Sequence, residues 1–220
     1  MSNWIDAHAH LTDPRMASSI TQELENARAA GIVRFVLGGV DPADWDRQRE
    51  LARARPGSVL PTFGLHPWRV AERPQDIEAG LARLRMELER TDRVCVGIGE
   101  TGLDHHARFG SETHAYQARS FRAHLALARE FDLPVVLHIV RAHAPALEIL
   151  GEGVQHDPDL RRDAPTKARL PYRGIVHSFS GDLAQARAYL ALGLVPSISA
   201  PVITRGSGTA FEKLKATVVT

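Results

Sequence analysis

The chain has a single cysteine, Cys95, among 220 residues. One thiol excludes a disulfide framework and any cysteine-built zinc site. Charge of one sign is also missing: 27 Lys and Arg against 26 Asp and Glu leave +1. This balance excludes a basic nucleic-acid-binding tail and an acidic disordered chain, though not a local basic groove. No apolar run reaches eighteen residues, so no membrane-spanning helix is expected. The start, Met1 to Asp6, has neither a basic region nor an apolar stretch, so no signal peptide is expected and the cytoplasm is the expected location. Aromatics are sparse at 6%, and lysine occurs only at 167, 213 and 215. The arginine excess suits phosphate through its bidentate fork, and an arginine-rich coding bias gives the same composition. With 44% hydrophobic residues the chain is an ordinary globular one, long enough to bury a proper core. What stands out is histidine, present eleven times.

Short runs rich in Val and Ile alternate with helical patterns. The runs Trp4–His8, Arg34–Val40, Val59–Leu65, Val94–Ile98, Pro134–Ile139, Gly174–Ser178 and Leu194–Ile198 read as strands. Several are apolar on successive residues, as strands covered on both faces require. Between them, Ile20, Leu24 and Ala27 recur at helical spacing before Gly31, which suits a helix C-terminus. Asp41 and Pro42 read as N-cap and first residue of a helix through Arg53. Ile77, Leu81, Leu84 and Leu88 mark a further apolar face, as do Phe121, Leu125 and Ala128. Asp182 opens a last helix that stops at Gly193.

About seven alternations imply parallel strands with right-handed crossovers. Two α/β architectures fit: an open doubly wound sheet, or a (β/α) barrel one unit short of closure. A single domain over 1–220 is expected. The proline- and charge-rich stretch Gly151–Arg173 is expected to be a surface insertion.

The chemistry-bearing residues share one address, the carboxyl ends of the strands, where function gathers in parallel α/β folds. His8 and His10 end the first strand, and His66 follows the third. Glu100 and Asp104 follow the fourth; His138 and His177 end the fifth and sixth. Two positions apart in a strand, His8 and His10 face the same way and form a natural ligand pair for a divalent metal such as zinc. Asp6 shares that face and is expected to orient a ring N–H. Glu100 sits among glycines where a carboxylate can bridge two metal ions; a surface salt bridge is the plain alternative. The glycines are not followed by Gly-Lys-Ser/Thr, which excludes a phosphate-loop NTPase. In isolation, His138 and His177 read equally well as satisfied core histidines. Cys95 is expected in the core, Trp68 packed over the mouth of the site with stacking on a base as its alternative, and Arg69 and Arg141 near phosphate. His105, His106, His114, His124, His143 and His156 are expected in loops or facing solvent.

The string Ile5-Asp6-Ala7-His8-Ala9-His10-Leu11 resembles the opening of the TatD-related metal-dependent deoxyribonucleases. Gly64-Leu65-His66-Pro67, Gly99-Glu100-Thr101-Gly102-Leu103-Asp104, Pro134-Val135-Val136-Leu137-His138 and His177-Ser178-Phe179-Ser180-Gly181 are similar to that family's later motifs, in the same order. The resemblance implies a distorted (β/α)8 TIM-type barrel with two divalent metal ions. His8 and His10 would hold one ion, His138 and His177 the other, and Glu100 would bridge them. Glu100 is thus both ligand and catalytic group. His66 would contact substrate phosphate or orient water, with a purely structural role as the alternative.

The family's first metal also takes an aspartate from a Thr-Asp motif after the last strand. No such motif occurs before Thr220, and neither Asp163 nor Asp182 stands in the right context. The expectation is therefore an incomplete barrel, a first site less well occupied than the second, reduced activity, and association through exposed strand edges. After His138 the chain reads Ile139-Val140-Arg141-Ala142 where the family has Ser-Arg-acidic, which alters the phosphate contacts expected there. The implied activity is phosphodiester hydrolysis of DNA or RNA by metal-activated water. The same ligands would serve hydrolysis of a small amide, ester or lactone, and a catalytically impaired scaffold is the third reading.

Overall fold

The computed structural model describes residues 3–155 and 170–199. Strands and helices alternate along it: β1 Trp4–Ala9, α1 Ile20–Ala29, β2 Ile32–Leu37, α2 Pro42–Ala54, β3 Val59–Phe63, α3 Pro67–Glu72, α4 Ile77–Leu88, β4 Gly97–Asp104, α5 His114–Glu130, β5 Val135–Val140, α6 His143–Gln155, β6 Gly174–His177, α7 Leu183–Ala191 and β7 Leu194–Pro196. All seven strands are parallel, and each pairs with its neighbours in chain order, β1 through β7. Sequential order without reversal is barrel topology. It excludes the doubly wound sheet, whose strand order must switch.

Local chemistry sets the helix ends. The Asp41 carboxylate accepts from Asp44 N at 3.0 Å, with Pro42 in the first turn of α2. Asp182 and Gln185 form a reciprocal capping box on α7. The main core lies between the sheet and its outer helices, built on Phe63, Ile98, Phe121, Leu125, Leu137, Leu150, Val176 and Tyr189. A smaller cluster of Leu24, Phe35, Leu37, Ala52 and Val59 joins α1 and α2 to the sheet. Cys95 is buried in the main core, which pushes its thiol up to about 11.

The fourth strand differs from expectation. It runs over Gly97–Asp104, and Val94 to Val96 lie outside it. Pairing overrides propensity here. Thr101, Gly102, Leu103 and Asp104 lie opposite Leu137, His138, Ile139 and Val140, and all eight strand residues are buried. Gly99 (φ +151°) and Gly102 (φ +138°) take backbone angles that side chains rarely adopt. Glu100 and Asp104 therefore stand within the strand instead of after it.

The first five residues of the stretch expected to be an insertion are helical. Gly151 to Gln155 continue α6, and the Tyr172 hydroxyl donates to Leu150 O at 3.0 Å. Residues 156–169, most of that stretch and including His156, lie outside the described residues, as do 200–220.

Candidate metal centre

The fold turns the ends of four strands, β1, β3, β5 and β6, toward one carboxylate on β4. Glu100 is fully buried. Its Oε2 lies 3.2 Å from Nε2 of both His8 and His10. Its Oε1 lies 2.5 Å from His177 Nε2, 2.9 Å from His138 Nδ1 and 3.3 Å from His66 Nε2. The parallel register accounts for part of this convergence, since His138 is the direct partner of His177 across β5 and β6. His10 stands one residue past β1 and still reaches the cluster, its Nε2 3.1 Å from that of His8. All six sequence-predicted residues, His8, His10, His66, Glu100, His138 and His177, are thus brought together.

On Glu100, Oε2 faces His8 and His10, and Oε1 faces His138 and His177. His8, Glu100 and His177 present ligand atoms within 4.8 Å of one another, and so do His66, Glu100 and His138. The His8 and His177 rings stack at 4.1 Å, linking the first strand to the sixth across the mouth.

Burial opposes charge on Glu100, but the His66 ring and hydrogen bonds from His10, His138 and His177 outweigh it and hold the carboxyl well below its usual range. Burial pulls His138 down, while Asp104 and Glu100 on its two nitrogens raise it to about 9. Burial dominates at His66 and His177, which are lowered. The hydrogen bond to Glu100 raises His10.

The donor set suits divalent cations. Two ring nitrogens face each other at 3.0 Å between His138 and His177. The buried His8 Nδ1 has no hydrogen-bond partner among the described residues. Imidazole and carboxylate donors that converge without satisfying one another match the ligand chemistry of borderline metals.

Around this cluster the structure corrects three expectations, for Asp6, His124 and His143. The Asp6 carboxylate accepts from the backbone N–H of His8 at 3.1 Å instead of orienting its ring. Arg69, also near the mouth, pairs with Asp41 and Glu72, each at 3.0 Å. His124 is buried in α5, where its Nε2 accepts from Leu65 N at 3.0 Å and its Nδ1 donates to Ser120 O at 2.7 Å. His143 is buried beside Tyr189. A helical histidine facing the core has no polar signature that separates it from a surface one, so sequence patterning placed both wrongly.

Asp104, named at the fourth strand without a role, also belongs to this centre. It accepts from His138 Nε2 at 3.2 Å, from Trp68 Nε1 at 2.5 Å and from His106 N at 2.9 Å. Its spacing of four from Glu100 in a strand was the available signal, since such residues share a face.

A ring of imidazoles about one buried carboxylate, at the carboxyl mouth of a barrel-ordered parallel sheet, places the molecule among barrel-type hydrolases that work with divalent metals. Residues 5–218 match the family described as TatD related DNase, and the chain belongs to that family. It is 31% identical over 209 residues to the 3'-5' ssDNA/RNA exonuclease TatD of Pantoea vagans (strain C9-1), spanning 95% of this chain and 72% of that protein. It is also 31% identical over 191 residues to the metal-dependent hydrolase YjjV of Escherichia coli (strain K12), spanning 86% of this chain and 65% of that protein. The crystal structure of YjjV, a TatD homologue, superposes with a TM-score of 0.75 at 28% identity, over 93% of this chain and 71% of that one. No helix among the described residues is long and apolar enough to cross a membrane.

Proposed function

We propose that the chain hydrolyses phosphodiester bonds of nucleic acid, using two divalent cations that share Glu100. One would be held with His8 and His10, the other with His138 and His177. The observation that carries this is the fully buried Glu100 carboxylate with imidazoles on both oxygens. Bound there, such cations lower the pKa of a water and neutralise charge on a phosphate. The chain's own residues do the rest. Glu100, ionised despite burial, supplies the shared negative charge. Asp104 accepts from His138 Nε2 and so turns Nδ1 toward the centre. His66 accepts from Trp68 N at its Nδ1, 3.1 Å away, which leaves Nε2 with the proton. That N–H faces Glu100 Oε1 at 3.3 Å and steadies the carboxylate at the edge of the centre. The relatives named as ssDNA/RNA exonucleases support a single-stranded substrate.

The test compares wild type with Glu100→Gln in added Mg, Mn or Zn. Substrates are an end-labelled single-stranded oligonucleotide, bis(p-nitrophenyl) phosphate, and a lactone and anilide panel. Metal-dependent phosphodiester cleavage lost in Glu100→Gln is expected. Turnover of the lactone or anilide alone would overturn the nucleic-acid reading.

A further inference from the structure

Beside the cluster lies a stack of flat groups that metal chemistry does not require. The Trp68 indole sits on the His66 ring at 4.3 Å and edge-on to His138 at 5.7 Å. Its Nε1–H is tied to Asp104, which fixes the plane of the ring. Even so, 39% of Trp68 remains exposed. The Arg108 guanidinium lies 4.4 Å from the centre of that indole and 4.5 Å from the centre of the Phe109 ring. Phe109 comes from the β4–α5 connection, Trp68 from the first turn of α3.

Arg108 itself is exposed. It makes no ion pair with a carboxylate among the described residues, whereas Arg69, Arg83, Arg85 and Arg122 all do. Its backbone N–H donates to His106 Nδ1 at 3.2 Å, which anchors the loop that carries it. A guanidinium held against an aromatic face with its charge uncompensated has two uses: stacking on a flat π system and attracting an anion. Arg141, also exposed and without a carboxylate partner among the described residues, follows β5 at the same mouth. A planar base attached to a phosphate offers both complements within a few ångströms.

We propose that Trp68 and Arg108 form a clamp for one unstacked nucleobase of a single-stranded nucleic acid. The guanidinium, in contact with the indole at 4.4 Å, lifts to admit the base and covers its outer face, with Phe109 beside it at 4.5 Å. Because the indole packs against His66, two rings, Trp68 and His66, separate the clamped base from Glu100. The clamp therefore sets which nucleotide flanks the bond presented to the centre. Duplex DNA, whose bases are already stacked, cannot use it without unpairing. Stacking reads the π face of a base and tolerates any sequence. The proposal rests on the nucleic-acid reading above.

The experiment measures binding without turnover. The whole chain in EDTA is titrated with a fluorescent single-stranded oligonucleotide and with the same backbone carrying abasic sites, by anisotropy. Wild type is expected to prefer the base-bearing strand by about tenfold, the scale of one stacked base. Arg108→Ala and Trp68→Leu are expected to bring that ratio near one. Arg108→Lys keeps the charge and loses the plane, so it should also lose most of the preference. A full preference in Arg108→Lys would make Arg108 a point charge for phosphate and overturn the clamp. Equal binding of both strands by wild type would overturn it too. Should Trp68→Leu misfold, Arg108→Ala, at an exposed position, decides alone. Oligonucleotide hydrolysis is assayed separately. Absent hydrolysis with the preference intact would sink the nuclease reading and leave the clamp standing.

Discussion

Asp104 and Glu100 hold opposite nitrogens of the His138 ring, at 3.2 Å from Nε2 and 2.9 Å from Nδ1. One carboxylate sits at the centre of the cluster and the other at its rim, so the ring is aimed from behind. Asp104→Asn removes the charge that fixes this aim. It is expected to weaken divalent-metal affinity by about 10- to 100-fold, the usual cost of losing an outer carboxylate on a ligating histidine. Competition against a chromophoric chelator measures it. Unchanged affinity would show that His138 needs no such support.

Gly38 tests how tightly His8 is confined. A Cβ added there would overlap Cε1 of His8 and stand 3.0 Å from Glu100 Oε2. The position lies just past β2, so the sheet itself is spared. Gly38→Ala is expected to keep its circular dichroism and to lose about 100-fold in turnover, as misplacement of about 1 Å commonly does. Wild-type turnover would mean that the His8 ring has room to move without loss.

Buried His124 makes the fold acid-sensitive. Burial lowers it to about 4 from an ordinary value of 6.5. The folded state therefore binds its proton less readily than the unfolded chain. The stabilisation is complete above pH 6.5 and is lost as pH falls from 6.5 toward 4. The loss reaches about 3 kcal/mol at most, taking about 1.4 kcal/mol per pKa unit. His124→Leu should flatten this limb in urea titrations at pH 7, 5.5 and 4. It should also destabilise the chain at pH 7 by about 2 kcal/mol, because Leu65 N–H is left buried without its acceptor. An acid limb identical to that of wild type would assign the sensitivity elsewhere.

Asp44 ties the first loop to the second. Its carboxylate accepts from Thr12 Oγ1 at 2.7 Å, Gln48 Nε2 at 2.9 Å, and Val40 N and Arg47 Nη2 at 3.1 Å each. Asp44→Ala leaves several of these donors unmet and is expected to cost about 3 kcal/mol by urea unfolding. Asp44→Asn, which retains one acceptor oxygen, should cost less.

Much of this was legible in the chain, for reasons that differ by element. Val135-Val136-Leu137 and Gly174-Ile175-Val176 announce buried parallel strands because both faces are apolar, and β5 and β6 form there. The caps at Asp41 and Asp182 were readable because they act within four residues. Histidines at strand ends were readable because barrel topology brings those ends to one mouth. The fourth strand misled because its glycines follow tertiary pairing and oppose local propensity. The burial of His124 was not legible either, since its ring accepts from Leu65 N, 59 residues away in the chain.

Cys95 lies sealed among Phe63, Leu84 and Leu88. Thiol chemistry in water thus meets a surface on which the native chain offers nothing to react. A cysteine substituted for exposed Arg187 on α7 would be the sole handle for a maleimide dye or a tethered oligonucleotide. Reporters could then be installed one at a time, without first stripping a background of competing sulfur.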